Sequence, residues 1–231
     1  MYKAVIFDIG QTLVEYNKPL NWSQSYRPVL QRASQKCGLN LSEQDYEKAV
    51  VILSFYNTRT NPREYEVTSQ QIFTEIFDKL HIPKKYLNDF KTGFYLYFNT
   101  DTSVFKDVIP ILKILNDNGI LVATLSDVAY GMDDEFALSD ISTIRKYIQY
   151  PLTSNYVGYR KPSIKGLQIL SEKMGIDLSQ MIMAGDEEKD ILCANNAGVL
   201  SVLINRSNEI KNYGQNITIH SLIELSKLLT D

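Results

Sequence analysis

The sequence predicts an α/β protein in which an all-helical domain is inserted into a Rossmann-like, doubly wound parallel sheet domain. Short apolar runs, such as residues 5–7 and 181–184, end in polar turns, which is typical of buried parallel strands. From about residue 102 onward, strand-like and helix-like stretches alternate. Between about residues 21 and 99, by contrast, helical patterns dominate. These three observations together define the fold class.

The helical insertion follows the first predicted strand, residues 5–7. Its four helical patterns cover residues 22–37, 42–56, 69–80 and 84–98. Ser42, with Asp45 three residues later, is predicted to cap the second of these helices, and Thr68 or Ser69 is predicted to cap the third.

The predicted elements after residue 102 complete the sheet domain. The helices cover residues 109–118, 162–174, 189–197 and 220–229, and the strands cover residues 120–125, 148–152, 181–184, 199–204 and 217–219. We therefore assign residues 1–16 and 102–231 to an α/β core domain and residues 17–101 to the inserted helical domain. Ligands bind beyond the carboxyl ends of the strands in such sheets, so the chemistry is expected there.

The composition excludes several classes of function. The formal net charge is −3 and no basic run clusters with aromatic residues, so nucleic acid is not expected as a partner. No apolar stretch approaches the roughly 20 residues that span a bilayer, and the N-terminus lacks the apolar core of a signal peptide. Cys37 and Cys193 have no metal-ligand spacing. We expect a cytoplasmic protein with two reduced thiols and no membrane partner.

Two predicted strands of the core end in polar side chains. Asp8 follows the first strand directly, and Thr12 closes the turn after it. Ser126 and Asp127 follow the next strand of the core. A carboxylate such as that of Asp8 can attack phosphorus and form an acyl phosphate, which splits one difficult displacement into two easier ones. Taken alone, these residues also fit ordinary turns and helix starts.

Two further stretches complete the pattern. Residues 158–162 read GYRKP and place Lys161 where a loop meets a predicted helix, with Arg160 expected at the surface. Residues 185–190 read GDEEKD and place Asp186 and Asp190 after the strand at 181–184. Carboxylate oxygens are ligands that Mg²⁺ prefers, although acidic residues also favour a helix N-terminus for electrostatic reasons.

In this order, the four stretches resemble the four motifs of the haloacid dehalogenase-like (HAD) hydrolases, and the insertion resembles their helical cap domain. The resemblance covers the whole chain. It implies a hydrolase, in particular a Mg²⁺-dependent phosphatase of a small phosphorylated metabolite, in which Asp8 is the nucleophile and forms a phospho-aspartate. The cap would close over the site and select the substrate, with its tyrosines, Arg59 and Arg63 as candidate contacts.

The resemblance also implies a role for each site residue. The hydroxyl of Ser126 and the backbone N–H of Asp127 would hold a phosphoryl oxygen, and Thr12 would contact the substrate. Lys161 would neutralise charge between the nucleophile and the phosphate. The residues implied as Mg²⁺ ligands are Asp8, Gly10 through its backbone carbonyl, Asp186 and Asp190.

The first motif departs from the family pattern at one position. Its usual form is Asp-x-Asp-Gly-Thr, in which the second Asp is a general acid/base, whereas this sequence has Gly10 there. General acid catalysis contributes about 10² to 10⁴ in rate. An enzyme without this acid is expected to favour leaving groups that need no proton, such as acyl or aryl phosphates. Alternatively, Glu15, Tyr16 or a cap residue fills the role, whereas Gln11 can donate a hydrogen bond but cannot transfer a proton.

Two other functions remain open. Gly10 also fits a non-catalytic protein that binds a phosphate ligand or acts as a regulatory partner on the same fold. A phosphonatase-like C–P hydrolase also has a small residue at this position, and it would use a cap lysine, here Lys36 or Lys48, to form a Schiff base. The retained Asp186 and Asp190 argue against a haloacid dehalogenase, which needs no Mg²⁺. The sequence does not determine the substrate or the oligomeric state.

Overall fold

A parallel sheet forms the centre of the core. The computed structural model describes residues 1–98, 102–207 and 209–229. Within these residues the strands are β1 Ala4–Phe7, β2 Val14–Tyr16, β3 Thr102–Val104, β4 Leu121–Ser126, β5 Tyr150–Thr153, β6 Met181–Gly185, β7 Leu200–Ile204 and β8 Ile217–Ile219. Six of them form one sheet in the order β5-β4-β1-β6-β7-β8, and every neighbouring pair is parallel. The predicted doubly wound parallel sheet is confirmed.

Helices cover both faces of this sheet. The α-helices of the described residues are α1 Tyr26–Lys36, α2 Glu43–Tyr56, α3 Ser69–Leu80, α4 Leu87–Leu96, α5 Val108–Asp117, α6 Asp134–Ala137, α7 Ser154–Val157, α8 Lys165–Met174 and α9 Glu188–Ala197. Val5 and Phe7 of β1 belong to the apolar cluster that contains α5, whereas Ala4 and Ile6 belong to the cluster that contains α8. The side chains of alternate residues in the central strand therefore pack against helices on opposite faces of the sheet, as expected for a β-strand.

Helices α1 to α4 form the predicted insertion and share an apolar cluster of their own. The cluster also includes three residues of the core loop that follows β4, namely Val128, Tyr130 and Met132. Ser42 and Asp45 form the predicted capping box at the start of α2. At α3 the cap is Thr68, whose hydroxyl accepts the backbone N–H of Gln71, and Ser69 is the first helical residue.

A two-stranded antiparallel sheet, β2 with β3, lies where the chain leaves the core and returns to it. The sequence analysis missed it because each strand has only three residues and the helical insertion separates them. The predicted start of the insertion at residue 17 directly follows β2, whereas its predicted end at residue 101 lies outside the described residues. The division of the chain into two domains stays a prediction.

Four predicted helices differ from the structure in extent or type. The helices predicted over residues 22–37 and 84–98 each start with a 3-10 helix, Trp22–Ser25 and Lys84–Tyr86, before the α-helix begins. The helix predicted over residues 162–174 begins at Lys165, because the backbone before it is used elsewhere. The N–H of Lys161 donates to Asp127, and the N–H of Ser163 donates to the carbonyl of Arg160. The predicted final helix is a 3-10 helix, Leu222–Leu229.

Among the described residues, each helix is either too short or too polar to span a bilayer. Both cysteines are free thiols. Cys193 is fully buried, and its Sγ donates to the carbonyl of Ser163 at 3.3 Å.

Gly131, in the core loop after β4, packs closely against the backbone at the start of α3. We therefore expect a large loss of stability when it is substituted. Its φ is +61°, and a Cβ there would overlap the backbone of Val67 and Ser69. We expect Gly131→Ala to lower the free energy of unfolding by about 1–3 kcal/mol more than Gly119→Ala. Gly119 is the matched control, because it also has a positive φ, +70°, but open space around it. Equal losses in urea denaturation would contradict the close approach at Gly131.

Candidate active site

The candidate site lies at the carboxyl ends of the three central strands. Asp8 directly follows β1, Ser126 is the last residue of β4, and Asp186 directly follows β6. Because β1 lies between β4 and β6, these residues meet at the same edge of the sheet. This is the edge at which ligands bind in doubly wound sheets.

Lys161 lies between two carboxylates at this edge. Its Nζ is 2.5 Å from Oδ1 of Asp8 and 2.6 Å from Oδ1 of Asp190. The side chains of Lys161 and Asp190 are each 1% exposed, and that of Asp8 is 11% exposed. Charge-assisted contacts this short, between side chains with so little exposure to solvent, hold all three side chains in one arrangement.

Three carboxylates at this edge could hold a divalent cation. Asp8, Asp186 and Asp190 each offer an oxygen atom, and these oxygens all lie within 4.8 Å of one another. The ammonium of Lys161 contacts two of them, so the cluster retains an excess of negative charge. Oxygen ligands with excess negative charge are what Mg²⁺ prefers, and these residues therefore fit a Mg²⁺ site. Gly10, the further predicted ligand, lies on the wall of the adjacent cavity.

Asp190 reaches the site because of the way α9 begins. Glu187 precedes the helix, and its backbone N–H donates to Oδ2 of Asp190 at 3.0 Å. A Cβ at position 185 would overlap the carboxyl group of Asp190. Glycine at that position therefore allows Asp190 to fold back over the end of β6, where its Oδ1 contacts Lys161.

Burial and mutual repulsion raise the pKa of two carboxyl groups. Burial raises the pKa of Asp8 to about 6, although Lys161 acts in the opposite direction. Burial, followed by the charges of Asp8 and Asp190, raises the pKa of Asp186 to about 8. Burial alone would lower the pKa of Lys161, but Asp190 and Asp8 hold it well above its ordinary value. Lys161 is therefore a cation at neutral pH.

The Thr12 hydroxyl and the Asp127 carboxylate already have partners within the protein. Thr12 is fully buried, and its Oγ1 donates to Oδ1 of Asp186 at 3.3 Å. Oδ1 of Asp127 accepts the backbone N–H of Lys161 at 3.1 Å, and its Oδ2 is 3.1 Å from Nζ of Lys189. Thr12 thus orients a candidate metal ligand, and Asp127 fixes the loop that carries Lys161. Their predicted contacts with substrate stay predictions.

Arg160 is buried, and the prediction that it lies at the surface is wrong. It is 5% exposed, and its guanidinium forms an ion pair with Glu66 of the insertion. It also donates to Oγ1 of Thr58 at 3.2 Å. Alongside this ion pair, the backbone N–H of Glu66 donates to the carbonyl of Gly158 at 2.9 Å, and that of Arg160 to the carbonyl of Glu64 at 2.7 Å. The loop that leads into α8 is thereby fixed to the insertion.

A cavity of about 140 Å³ lies beside the carboxylates, between the strand ends and the insertion. The core contributes Gly10, Ser126 and Lys189 to its wall, and the insertion contributes Trp22 and Arg59. Ser126 therefore borders the space that a ligand would occupy. Gly10, two residues after Asp8, lines the same cavity.

The cavity wall next to Gly10 is formed by Tyr16 and Asp140. The hydroxyl of Tyr16 donates to Oδ2 of Asp140 at 2.6 Å. Glu15, the other acid considered beside Gly10, is exposed and accepts a hydrogen bond from Ser103 at 3.5 Å. The sequence analysis missed Asp140, because nothing in its local sequence marks a residue that is 124 positions away from its partner.

The cationic residues of the insertion differ in their positions. Arg59 lines the cavity and forms an ion pair with Glu187. Arg63 does not line it, and pairs with Glu66 instead. Lys36 and Lys48 are exposed and do not line the cavity either, so neither is in place to form the Schiff base of a phosphonatase.

The chain belongs to the haloacid dehalogenase-like hydrolases, because the model of that family, described as a haloacid dehalogenase-like hydrolase, matches residues 2–198. A curated relative, a phosphoglycolate phosphatase of Neisseria meningitidis serogroup A, is 32% identical over 148 residues. The aligned part is 62% of this chain and 55% of the relative, so the chain spans about half the length of that protein.

Solved structures agree on the fold. A 2-haloacid dehalogenase from Pseudomonas syringae pv. Tomato DC3000 matches with a TM-score of 0.71 at 20% identity, over 99% of this chain and 98% of that one. A HAD phosphatase from Thermococcus onnurineus matches with a TM-score of 0.65 at 21% identity, also over 99% and 98%. One of these proteins is named a dehalogenase and the other a phosphatase, so the shared fold does not choose between the two reactions.

The raised carboxyl pKa values predict that the metal-free protein loses stability as the pH rises. The folded-state pKa values of Asp8 and Asp186, about 6 and about 8, lie above their ordinary value of 3.8. The folded protein therefore binds these protons more tightly than the unfolded chain, and this stabilisation disappears as the pH rises through the folded-state values. In EDTA, the free energy of unfolding should fall by on the order of a few kcal/mol between about pH 5 and pH 8.5.

Asp186→Asn should reduce this fall, because its amide does not ionise. Asp117→Asn, which changes an exposed carboxylate on α5, is the control and should keep the full fall. Urea denaturation at several pH values measures both. The same pH dependence in Asp186→Asn as in the wild type would contradict the assignment of a raised pKa to Asp186.

Proposed function

We propose that this HAD-like hydrolase is a Mg²⁺-dependent phosphatase of a small phosphorylated metabolite, with Asp8 as its nucleophile. The observation that carries the proposal is the Asp8 carboxylate, which is held by Lys161, clustered with two further carboxylates, and two residues before Gly10 on the wall of the cavity. A haloacid dehalogenase attacks carbon and needs no metal, so the acidic cluster favours phosphoryl chemistry. The phosphoglycolate phosphatase relative supports the same reaction class.

Asp8 has one oxygen for positioning and one for attack. Oδ1 contacts Lys161, whereas Oδ2 lies on the side of Gly10, which borders the cavity. A carboxylate oxygen of Asp8 attacks the phosphorus, the bond from phosphorus to the leaving-group oxygen breaks, and that oxygen departs with the electron pair. Water then attacks the phosphorus of the aspartyl phosphate, and the bond from phosphorus to the Asp8 oxygen breaks. The carboxylate is restored, and inorganic phosphate leaves while a proton of the water passes to solvent.

The surrounding residues stabilise the phosphoryl group. The ammonium of Lys161 and the hydroxyl of Ser126, with the backbone N–H of Asp127, neutralise and hold its oxygens. Asp8, Asp186, Asp190 and the carbonyl of Gly10 would hold Mg²⁺. When bound, the ion would add its positive charge to that of Lys161 and so stabilise the phosphoryl oxygens.

The volume of the cavity indicates a small substrate. Pockets for drug-sized ligands are about 300–1,000 Å³, whereas this one is about 140 Å³. That volume fits a phosphate group with a few further heavy atoms. The insertion supplies Trp22 and Arg59 to its wall and so contributes to the choice of substrate. The cytoplasmic location predicted from the sequence stays a prediction, as does the absence of nucleic-acid and membrane partners.

A non-catalytic phosphate-binding or regulatory protein is the alternative, and Gly10 is the observation that favours it. The intact contacts of Lys161 with Asp8 and Asp190 weigh against it, because a chain released from catalysis has no need of a buried cation between two carboxylates. The C–P hydrolase receives no support from Lys36 or Lys48.

Phosphate release tests the proposal directly. The wild type should release phosphate from acetyl phosphate and p-nitrophenyl phosphate in Mg²⁺ and lose this activity in EDTA. Asp8→Asn should lower kcat by on the order of 10³ or more, because an amide is a poor nucleophile. Asp117→Asn, with the same change of charge on the surface of α5, should retain full activity. Turnover by Asp8→Asn at the wild-type rate would refute the assigned nucleophile, and Mg²⁺-dependent binding of phosphate without any turnover would favour the binding protein.

A further inference from the structure

The space where a side chain at position 10 would begin is bordered by the ring of Tyr16. A Cβ built on Gly10 would lie 3.1 Å from Cε2 and 3.7 Å from Cδ2 of that ring. The first of these distances is below ordinary van der Waals contact, so a substituent at position 10 requires the ring to yield. Gly10 has no positive φ, and its own backbone conformation therefore does not require glycine.

The Tyr16 ring is held at both ends. Its backbone belongs to β2 and pairs with Thr102 of β3. Its hydroxyl donates to Oδ2 of Asp140 at 2.6 Å, and Asp140 belongs to a separate 3-10 helix, Ser139–Tyr147. Its side chain also packs against the apolar cluster on the α5 face of the sheet. Any displacement of the ring therefore works against a short, partly buried hydrogen bond and against apolar contacts.

A carboxylate at position 10 also meets a like charge. The Cβ position at Gly10 is 3.9 Å from Oδ2 of Asp8. A side chain at position 10 would thus begin close to the proposed nucleophile, whose own charge repels a second carboxylate. Steric exclusion on one side and repulsion on the other leave little room for an aspartate.

The Tyr16 hydroxyl donates its hydrogen bond within the protein and is not directed at a leaving group. Its single proton lies in the hydrogen bond to Asp140. Asp140 is the acceptor in that bond. Asp127, on the same wall, is also engaged, because its Oδ1 accepts the backbone N–H of Lys161 and its Oδ2 is 3.1 Å from Nζ of Lys189.

We propose that Tyr16 is a specificity-determining residue, whose ring occupies the space of an acid/base side chain at position 10 and so restricts the enzyme to leaving groups that depart without a proton. The substrate class is then the acyl phosphate, a mixed anhydride whose carboxylate leaving group is stable as an anion. In the first step the Asp8 oxygen bonds to phosphorus, and the carboxylate departs with the electron pair of the broken P–O bond, so that no proton is needed. This inference rests on the proposed phosphatase function.

The leaving-group dependence of the wild type is the first test. Acetyl phosphate should be hydrolysed at least about 100-fold faster than an alkyl ester such as phosphoglycolate, the lower end of what general acid catalysis contributes. Tyr16→Phe keeps the ring and removes the hydroxyl, so the ratio of the two rates should stay within about threefold of the wild-type ratio. A wild-type ratio near one, or a selective loss of phosphoglycolate hydrolysis in Tyr16→Phe, would overturn the proposal, because either result reveals a working proton donor.

The pair of positions 10 and 16 is the second test. Gly10→Asp alone should not improve phosphoglycolate hydrolysis and should lower Tm, whereas Gly10→Asp combined with Tyr16→Ala should raise phosphoglycolate hydrolysis at least about tenfold above Tyr16→Ala. An equal gain in Gly10→Asp with Tyr16 present would overturn the proposal. If the double variant folds poorly, the loss of Tm caused by Gly10→Ala is measured in the wild-type background and in the Tyr16→Ala background. Equal losses in the two backgrounds would also overturn the proposal.

The two proposals fail in different ways. Failure of the phosphatase function appears as no Asp8-dependent turnover of either substrate by any variant, and it overturns this inference as well. Failure of the inference alone appears as Asp8-dependent hydrolysis of acetyl phosphate without the expected ratio between acetyl phosphate and phosphoglycolate. The Tm comparison reports the exclusion of a side chain at position 10 without reference to activity.

Discussion

The ion-pair contacts of Lys161 with Asp8 and Asp190 are the interaction on which the site depends. A buried ammonium needs compensating charge, and two carboxylates supply it at 2.5 and 2.6 Å. Each partner comes from a different part of the chain: the end of β1, the first turn of α9 and the loop before α8. The contacts therefore fix three separate elements relative to one another. Removing any one of the charges would leave the others buried without compensation, which is costly.

Local features around this triad support its position. Gly185 makes room for the carboxyl group of Asp190, and the carboxylate of Asp127 holds the backbone of Lys161. The loop before Lys161 is also tied to the insertion by the Arg160–Glu66 ion pair and by backbone hydrogen bonds. A movement of the insertion relative to the sheet must either keep this buried contact or break it. The position of the lysine and the position of the insertion are therefore mechanically linked.

The sequence was sufficient for features that depend on local pattern. Alternating apolar strands and helices predicted the parallel sheet, and the geometry of such sheets placed Asp8, Ser126 and Asp186 at one edge. The caps Ser42 and Thr68 followed from short-range side-chain chemistry. Features that depend on distant partners were missed, since local sequence does not record them. The burial of Arg160 requires Glu66, and the position of Asp140 requires Tyr16.

The presence of glycine at position 10 is also explained only by contacts with residues distant in the sequence. In the sequence it stands as a missing carboxylate, whereas in the structure it lies beneath a tyrosine ring held by β3 and by Asp140. The ring and the glycine together shape the wall beside Asp8. In the proposed phosphatase, the site keeps its attacking group and its charge stabilisation, and this wall favours leaving groups that depart without a proton.

The most direct test of the central claim is to trap the covalent intermediate. The protein is mixed with Mg²⁺ and acetyl phosphate that carries a radiolabelled phosphoryl group, quenched in acid during turnover, and digested into peptides. The account predicts label on the peptide that contains Asp8, and no label in Asp8→Asn. Turnover without labelled protein, or label on a different residue, would contradict the assignment of Asp8 as the nucleophile.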